Sequence, residues 1–183
     1  MKRLFTFIAF IICLCCATCI YAQSNLYKET KLIQGDGYTY QCKVSCTILV
    51  DLYNTNQQFV EKDQINRNTG ENSSIKDSYT PKFEQDTWTR PKCYSIVRNA
   101  FSEEEKQRLK GQRLTISLYI HPDTGKVVDV AFSFSNLENF ATIPISVYRK
   151  IELELKENIW FVPTEHGKQF NYILLWWEQI VSK

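Results

Sequence analysis

Histidine is scarce in this chain, with two copies in 183 residues, and no Gly-rich phosphate-binding loop is present. Neither charge sign dominates: 22 Lys and Arg face 20 Asp and Glu. Each shortage excludes a class of function. His121 and His166 sit in polar turn contexts, and with scattered cysteines they show none of the close spacings of a metal site, so no cofactor is expected. Gly35-Asp36-Gly37 reads as a turn rather than a nucleotide loop. A near-zero net charge gives no electrostatic case for nucleic acid or anionic lipid. Repeats and low-complexity tracts are also missing.

Long hydrophobic runs are confined to the amino end. Lys2 and Arg3 precede an apolar stretch from Leu4 to Ile12 that continues through Cys13, Leu14, Cys15 and Cys16. Charge, length and position read as a signal peptide over residues 1–22, cut after Ala22. The alternatives are an uncleaved anchor, although the stretch is shorter than the roughly 20 residues that span a bilayer, and a lipoprotein modified at Cys19 or Cys16. The reading places the protein outside the cytoplasm, periplasmic, at the cell surface or secreted, with no transmembrane segment in the mature chain. About 161 residues then remain, which suits one structural domain over 23–183.

Four of the seven cysteines fall in the export segment, leaving Cys42, Cys46 and Cys93 as disulfide candidates. An odd number allows at most one internal bridge. Cys42 and Cys46 on one strand would stand ~13 Å apart, out of bonding reach, so either pairs with Cys93 or all three are buried thiols.

Residues 23–111 read as a strand pair, a polar loop and a helix. Tyr38, Tyr40, Cys42 and Val44 alternate with polar residues, and Ile48, Val50 and Leu52 continue the pattern to Tyr53. Asn54-Thr55-Asn56 is turn-like, and Gln57 to Gln64 is a candidate return strand. Ile65 to Pro91, rich in Asn, Ser, Thr, Lys and Asp, reads as a long exposed connection. Within it Asn72-Ser73-Ser74 is formally a glycosylation sequon. Ile96, Val97, Ala100 and Phe101 share a helical face, and Ser102 with Glu105 forms a capping box before a second helix that stops at Gly111.

Residues 112–183 have the clearest grammar. Leu114, Ile116, Leu118 and Ile120 mark a half-buried strand. His121 to Lys126 is hairpin-turn chemistry, with Gly125 at the position that needs a positive φ. Val128, Val130, Phe132 and Phe134 are placed on one face of the return strand, opposite Asp129, Ala131, Ser133 and Ser135. Thr142 and Pro144 open a helix with Val147, Ile151 and Leu155 on one side, and a last strand runs from Gln169 to Glu178. The fold class is therefore α+β: an antiparallel sheet packed on one main helix, extended by an N-terminal strand pair and a preceding helix.

The even hairpin, the helix, Phe161-Val162-Pro163, Gly167-Lys168 and the closing apolar strand together resemble a TonB C-terminal domain with its ββαβ unit. The Pro-rich spacer of a TonB protein is absent, so the resemblance implies binding rather than energy transduction. The whole chain is similar to small exported proteins of unknown function from Bacteroidetes. The implied function is that of a non-enzymatic extracytoplasmic binding or adaptor module that takes an extended segment of an envelope protein at a sheet edge. Two alternatives stand beside it: a secreted hydrolase using Cys93 or a carboxylate, and a structural subunit of a surface assembly.

The last strand is apolar on both faces. The family register puts Trp176 toward the helix and Trp177 on the far side, with the Tyr38 to Tyr53 segment or a partner covering the second face. Tyr119, Ile173, Leu175 and Trp177 are accordingly the candidate partner-binding residues.

Overall fold

The computed structural model describes residues 24 to 182 apart from Ile75, Lys76 and Ser78. The expected export segment lies outside the described residues. Six strands form a single sheet in the order β1-β2-β3-β5-β4-β6, every neighbouring pair antiparallel. The strands are β1 (Lys31–Gly35), β2 (Tyr38–Ser45), β3 (Leu49–Asn54), β4 (Arg113–Ile120), β5 (Val127–Ser135) and β6 (Ile173–Ile180). They are accompanied by the helices α1 (Thr89–Ala100), α2 (Glu103–Arg108) and α3 (Ile145–Asn158). The class is mixed α+β, and β3 pairing with β5 joins the N-terminal strands to the C-terminal ones in one sheet.

Alternation sets the core. Tyr40, Cys42, Val50, Leu52, Phe132, Ile116, Leu118 and Ile173 all point to one face and are buried, as a period of two requires. α3 covers that face over β5, where Tyr148 stacks on Phe134 at 5.5 Å and meets Phe132 at 5.2 Å. α1 covers it near β6, through Tyr94 edge-on to Trp177 at 6.2 Å. The capping box at Ser102 and Glu105 starts α2 as the sequence predicts.

The structure corrects several sequence readings. The Tyr38 to Tyr53 run is not one strand: it folds back at Cys46 and Thr47, both at positive φ (49° and 64°), so Ser45 pairs with Leu49. Neither residue is a usual left-handed former, which is why the turn leaves no signal. The N-terminal contribution is three strands rather than two, because β1 is added and Gln57 to Gln64 is not a strand. That segment is instead a strap across the far face. Asp129, almost fully buried there, accepts from the Gln58 and Phe59 amides at 2.9 and 2.6 Å, while Phe59 packs on Tyr172 at 5.2 Å.

The β4–β5 hairpin carries a further shift. Its register slips between Tyr119 and Ile120, so Ile120 pairs with Val127 while Tyr119 pairs with Asp129. Val128 is the extra residue, and Val127 joins the core in its place. Ile65 to Pro91 is only partly an exposed connection. Tyr79 is exposed, but Arg67 grips Asp123 through two hydrogen bonds of 2.9 and 2.8 Å, and Phe83 pairs with Pro163.

Candidate functional site

β6 ends the sheet, and among the described residues no backbone hydrogen bond joins its outer side to another segment. A groove runs along this open edge in two parts. The first, about 510 Å³, lies between Leu175, Trp176 and Trp177 on β6 and a wall of Phe83, Tyr94 and Phe161, with Cys93 among its lining residues. The second, about 530 Å³, continues past Tyr94 to Arg98, Arg113, Glu178 and Gln179. The groove thus offers aromatic surface at one end and mixed charge at the other, where Arg113 and Glu178 are 2.7 Å apart.

The wall is held by local chemistry. Glu84 donates its amide to the Val162 carbonyl at 2.8 Å, and Thr164 donates to that of Lys82 at 3.0 Å, so residues 82–84 and 162–164 run as a short ladder. Phe83 and Phe161 meet across it at 4.7 Å, and Trp88 packs on Trp160 at 4.4 Å. Asp86 then starts α1 by accepting from the amides of Trp88 and Thr89, at 2.9 and 2.8 Å, and from the Thr89 hydroxyl. Burial pushes the Asp86 carboxyl up, but these donors outweigh it and hold it below the usual carboxylate range. Gln179 ties β6 to the helix by donating to the Tyr94 carbonyl at 2.8 Å and accepting from the Trp177 indole at 3.2 Å.

The four candidate binding residues do not form one surface. Opposite Ile116, Leu118 and Ile120 stand Trp177, Leu175 and Ile173, so all three share the core face, and Ile173 is fully buried. Leu175 and Trp177, half-buried, reach the groove from that side. Tyr119 is on the opposite face against Tyr172, 5.2 Å away. The expected facing of the tryptophans is reversed. Trp177 lies toward the helices and Trp176 is 60% exposed on the far face, because the parity of β6 is set by its register on β4. The Tyr38 to Tyr53 segment does not cover that face, since it forms part of the sheet. Phe83, Tyr94, Phe161 and Trp176 escape sequence reading as groove residues. Their signal was the clustering of aromatics at 83–94, 160–161 and 176–177.

Cys42, Cys46 and Cys93 are free thiols, the first and last buried and Cys46 exposed. Cys42 lies within β2, and Cys46 is the first residue of the turn that follows that strand. Burial, aided by Asp86, pushes the Cys93 thiol up to about 12, whereas a nucleophilic thiol needs a depressed value. No hydrogen bond links it to His121 or His166, whose side chains instead stand 3.9 Å from Asp123 and 3.5 Å from Asp77. Among the described residues no group of three or more His, Cys, Asp and Glu is placed to hold a metal, and no helix is long and apolar enough to cross a membrane.

Fold and groove define an α+β single-sheet module whose last strand presents an open, aromatic-walled edge. Residues 23–177 match the family described as Domain of unknown function (DUF5043), and the chain belongs to it. It is similar to a DUF5043 family protein from Bacteroides uniformis ATCC 8492, seen in a crystal structure at 1.85 Å resolution. The two are 36% identical, the match covers 86% of this chain and 94% of that one, and the TM-score is 0.79. No curated protein matches.

Proposed function

We propose that this protein is a non-enzymatic binding module of the extracytoplasmic space that takes an extended peptide segment of an envelope protein along the β6 edge. The observation that carries the reading is the coincidence of the unpaired outer side of β6 with the groove between β6 and α1. A segment lying there gains main-chain hydrogen bonds from the edge, and its alternate side chains reach the aromatic pocket beside Leu175 and Trp177. The order β4, β5, α3, β6 supports kinship with the ββαβ unit of TonB C-terminal domains, a family built for binding. The raised Cys93 thiol argues against the thiol-hydrolase alternative.

Selection of randomised ten-residue peptides displayed on phage against the purified protein tests the proposal. Recovered peptides should alternate apolar and polar positions, slow amide exchange on the outer side of residues 173–180, and lose affinity in Trp177→Ala. Binders that protect another part of the sheet, or none after exhaustive selection, would overturn it.

A further inference from the structure

A separate cavity, of about 540 Å³, opens at the opposite end of the sheet, on the face that the helices cover. It lies between the β1–β2 turn, the end of β3 and the outer turns of α3. At its floor is Glu152, whose side chain is only 3% exposed. One carboxylate oxygen accepts from the Tyr40 hydroxyl, from Arg149 Nη1 at 2.8 Å and from Asn54 Nδ2 at 3.4 Å. The other lies 3.5 Å from Lys156 Nζ. The carboxylate is fully partnered, so what the cavity lacks is not a cation. Two cations, Arg149 and Lys156, share one anion, which leaves one positive charge unmatched in a polar recess.

The guanidinium is also held in place beforehand. Arg149 lies over the Tyr38 ring at 5.4 Å. That ring stands edge-on to Tyr40 at 5.9 Å and fills the space beside Gly35, where any Cβ would come within 2.1 Å of it. A side chain at position 35 would displace the ring and free the arginine. With Tyr38 beneath it and Glu152 holding Nη1, the guanidinium has little rotamer freedom left to lose on binding. The Arg149 guanidinium donates through Nη1 to Glu152 and also interacts with the Tyr40 hydroxyl, and Lys156 Nζ has a single long contact. Asn56, whose backbone N–H donates to Asn54 Oδ1 at 2.9 Å, lines the rim and adds a neutral side-chain donor.

We propose that this cavity is a binding site for a small monoanionic oxyanion, with a carboxylate group as the best match. One negative charge neutralises the excess, and a planar carboxylate matches the donors of a fixed guanidinium that Glu152 and Tyr40 leave over. The site is separate from the β6 groove, and its occupancy does not depend on the peptide reading.

The test titrates the purified protein with acetate and, separately, with inorganic phosphate at constant ionic strength. It follows the Arg149 side-chain Nε–H resonance and the thermal midpoint, with chloride as the control. Acetate should move the resonance saturably and raise the midpoint. Lys156→Gln removes one cation but leaves Glu152 with Arg149 and Tyr40, so it should fold and weaken acetate by about tenfold. Arg149→Lys keeps the charge and loses the fork, and should abolish the preference for acetate. If that variant does not fold, Lys156→Gln alone decides. A response matched by chloride, a response to phosphate but not acetate, no saturable response, or unchanged affinity in Lys156→Gln would each overturn the assignment.

Discussion

Among the described residues the two ends of the sheet are both open edges, and they are protected by different means. β1 is five residues long, begins at Lys31 beside Glu29, and has three exposed positions. Shortness and charge are the ordinary guards of an edge. β6 is eight residues long and carries no charge from Ile173 to Trp177. Its guard is the wall of Phe83, Tyr94 and Phe161, which stands off from the strand and leaves a groove. Charge repels any incoming strand, whereas a wall at a distance admits one thin segment and excludes a whole sheet. The difference separates an edge that is closed from one that is selective.

The β1 end also depends on a buried ionised anchor, Glu152, where the β6 end has the buried but neutral Gln179, and breaking the ionised one should give the largest effect. Glu152→Ala leaves Arg149 and the Tyr40 hydroxyl without their acceptor, at a cost of about 3–5 kcal/mol. Urea unfolding should show that loss, and amide exchange should accelerate in β1 and β2 before β4 and β6. A loss below about 1 kcal/mol, or equal acceleration at both edges, would show that the anchor does not distinguish them.

Trp177→Ala should cost less, about 2 kcal/mol, because the ring is half-buried and a fully buried tryptophan is worth more. Its exchange effect should be the mirror image, confined to β6 and α1.

The contrast between the edges was only half legible in the sequence. Alternation at Leu114, Ile116, Leu118 and Ile120 and the Asp-x-Gly turn announced the β4–β5 hairpin, since both are local signals. The helix face of Ile151 and Leu155 was equally local. β1 was missed because Lys31-Leu32-Ile33-Gln34 is too short to show a period and three of its four side chains are exposed. The turn at Cys46 and Thr47 was missed because its positive φ values are imposed by pairing rather than by residue type. At the candidate site, β6 was visible, but its parity was not. Two adjacent tryptophans satisfy either register, and only the partners on β4 break the tie. The groove wall was invisible for a different reason: Phe83 and Phe161 meet through a ladder whose two halves are far apart in sequence. The Glu152 anchor was hidden likewise, as a charged residue within a helix face that reads as solvated.

Burial of Cys93 beneath the groove adds a pH signature to the β6 end. Its thiol is raised from 9.0 to about 12, so the folded state keeps it neutral after the unfolded chain has begun to ionise. The contribution of this thiol to stability is complete below the unfolded value and is lost as pH rises from 9.0 toward about 12. Replacement by alanine should make the alkaline decline in a denaturation series shallower without removing it, because burial also raises the hydroxyls of Tyr27, Tyr40, Tyr53, Tyr119, Tyr148 and Tyr172, and an unchanged slope would show that Cys93 contributes nothing to it.

The smallest effect expected on stability is also the sharpest test of how the edges are guarded. Lys31→Ile alters one part-exposed side chain, so unfolding should move by no more than about 0.5 kcal/mol. What changes is the β1 edge, where Leu32 is already 57% exposed and an isoleucine would leave a short apolar strand with no charge on it. Sedimentation should then show concentration-dependent self-association in Lys31→Ile that the parent lacks. The counterpart, Leu174→Lys, places a charge at a position that is 40% exposed on the already walled β6 edge and should leave the sedimentation unchanged. If Lys31→Ile stays as dispersed as the parent, charge is not what closes β1. Should Leu174→Lys instead remove association already present in the parent, the wall is not what shields β6, and its edge is an interface between copies of the chain.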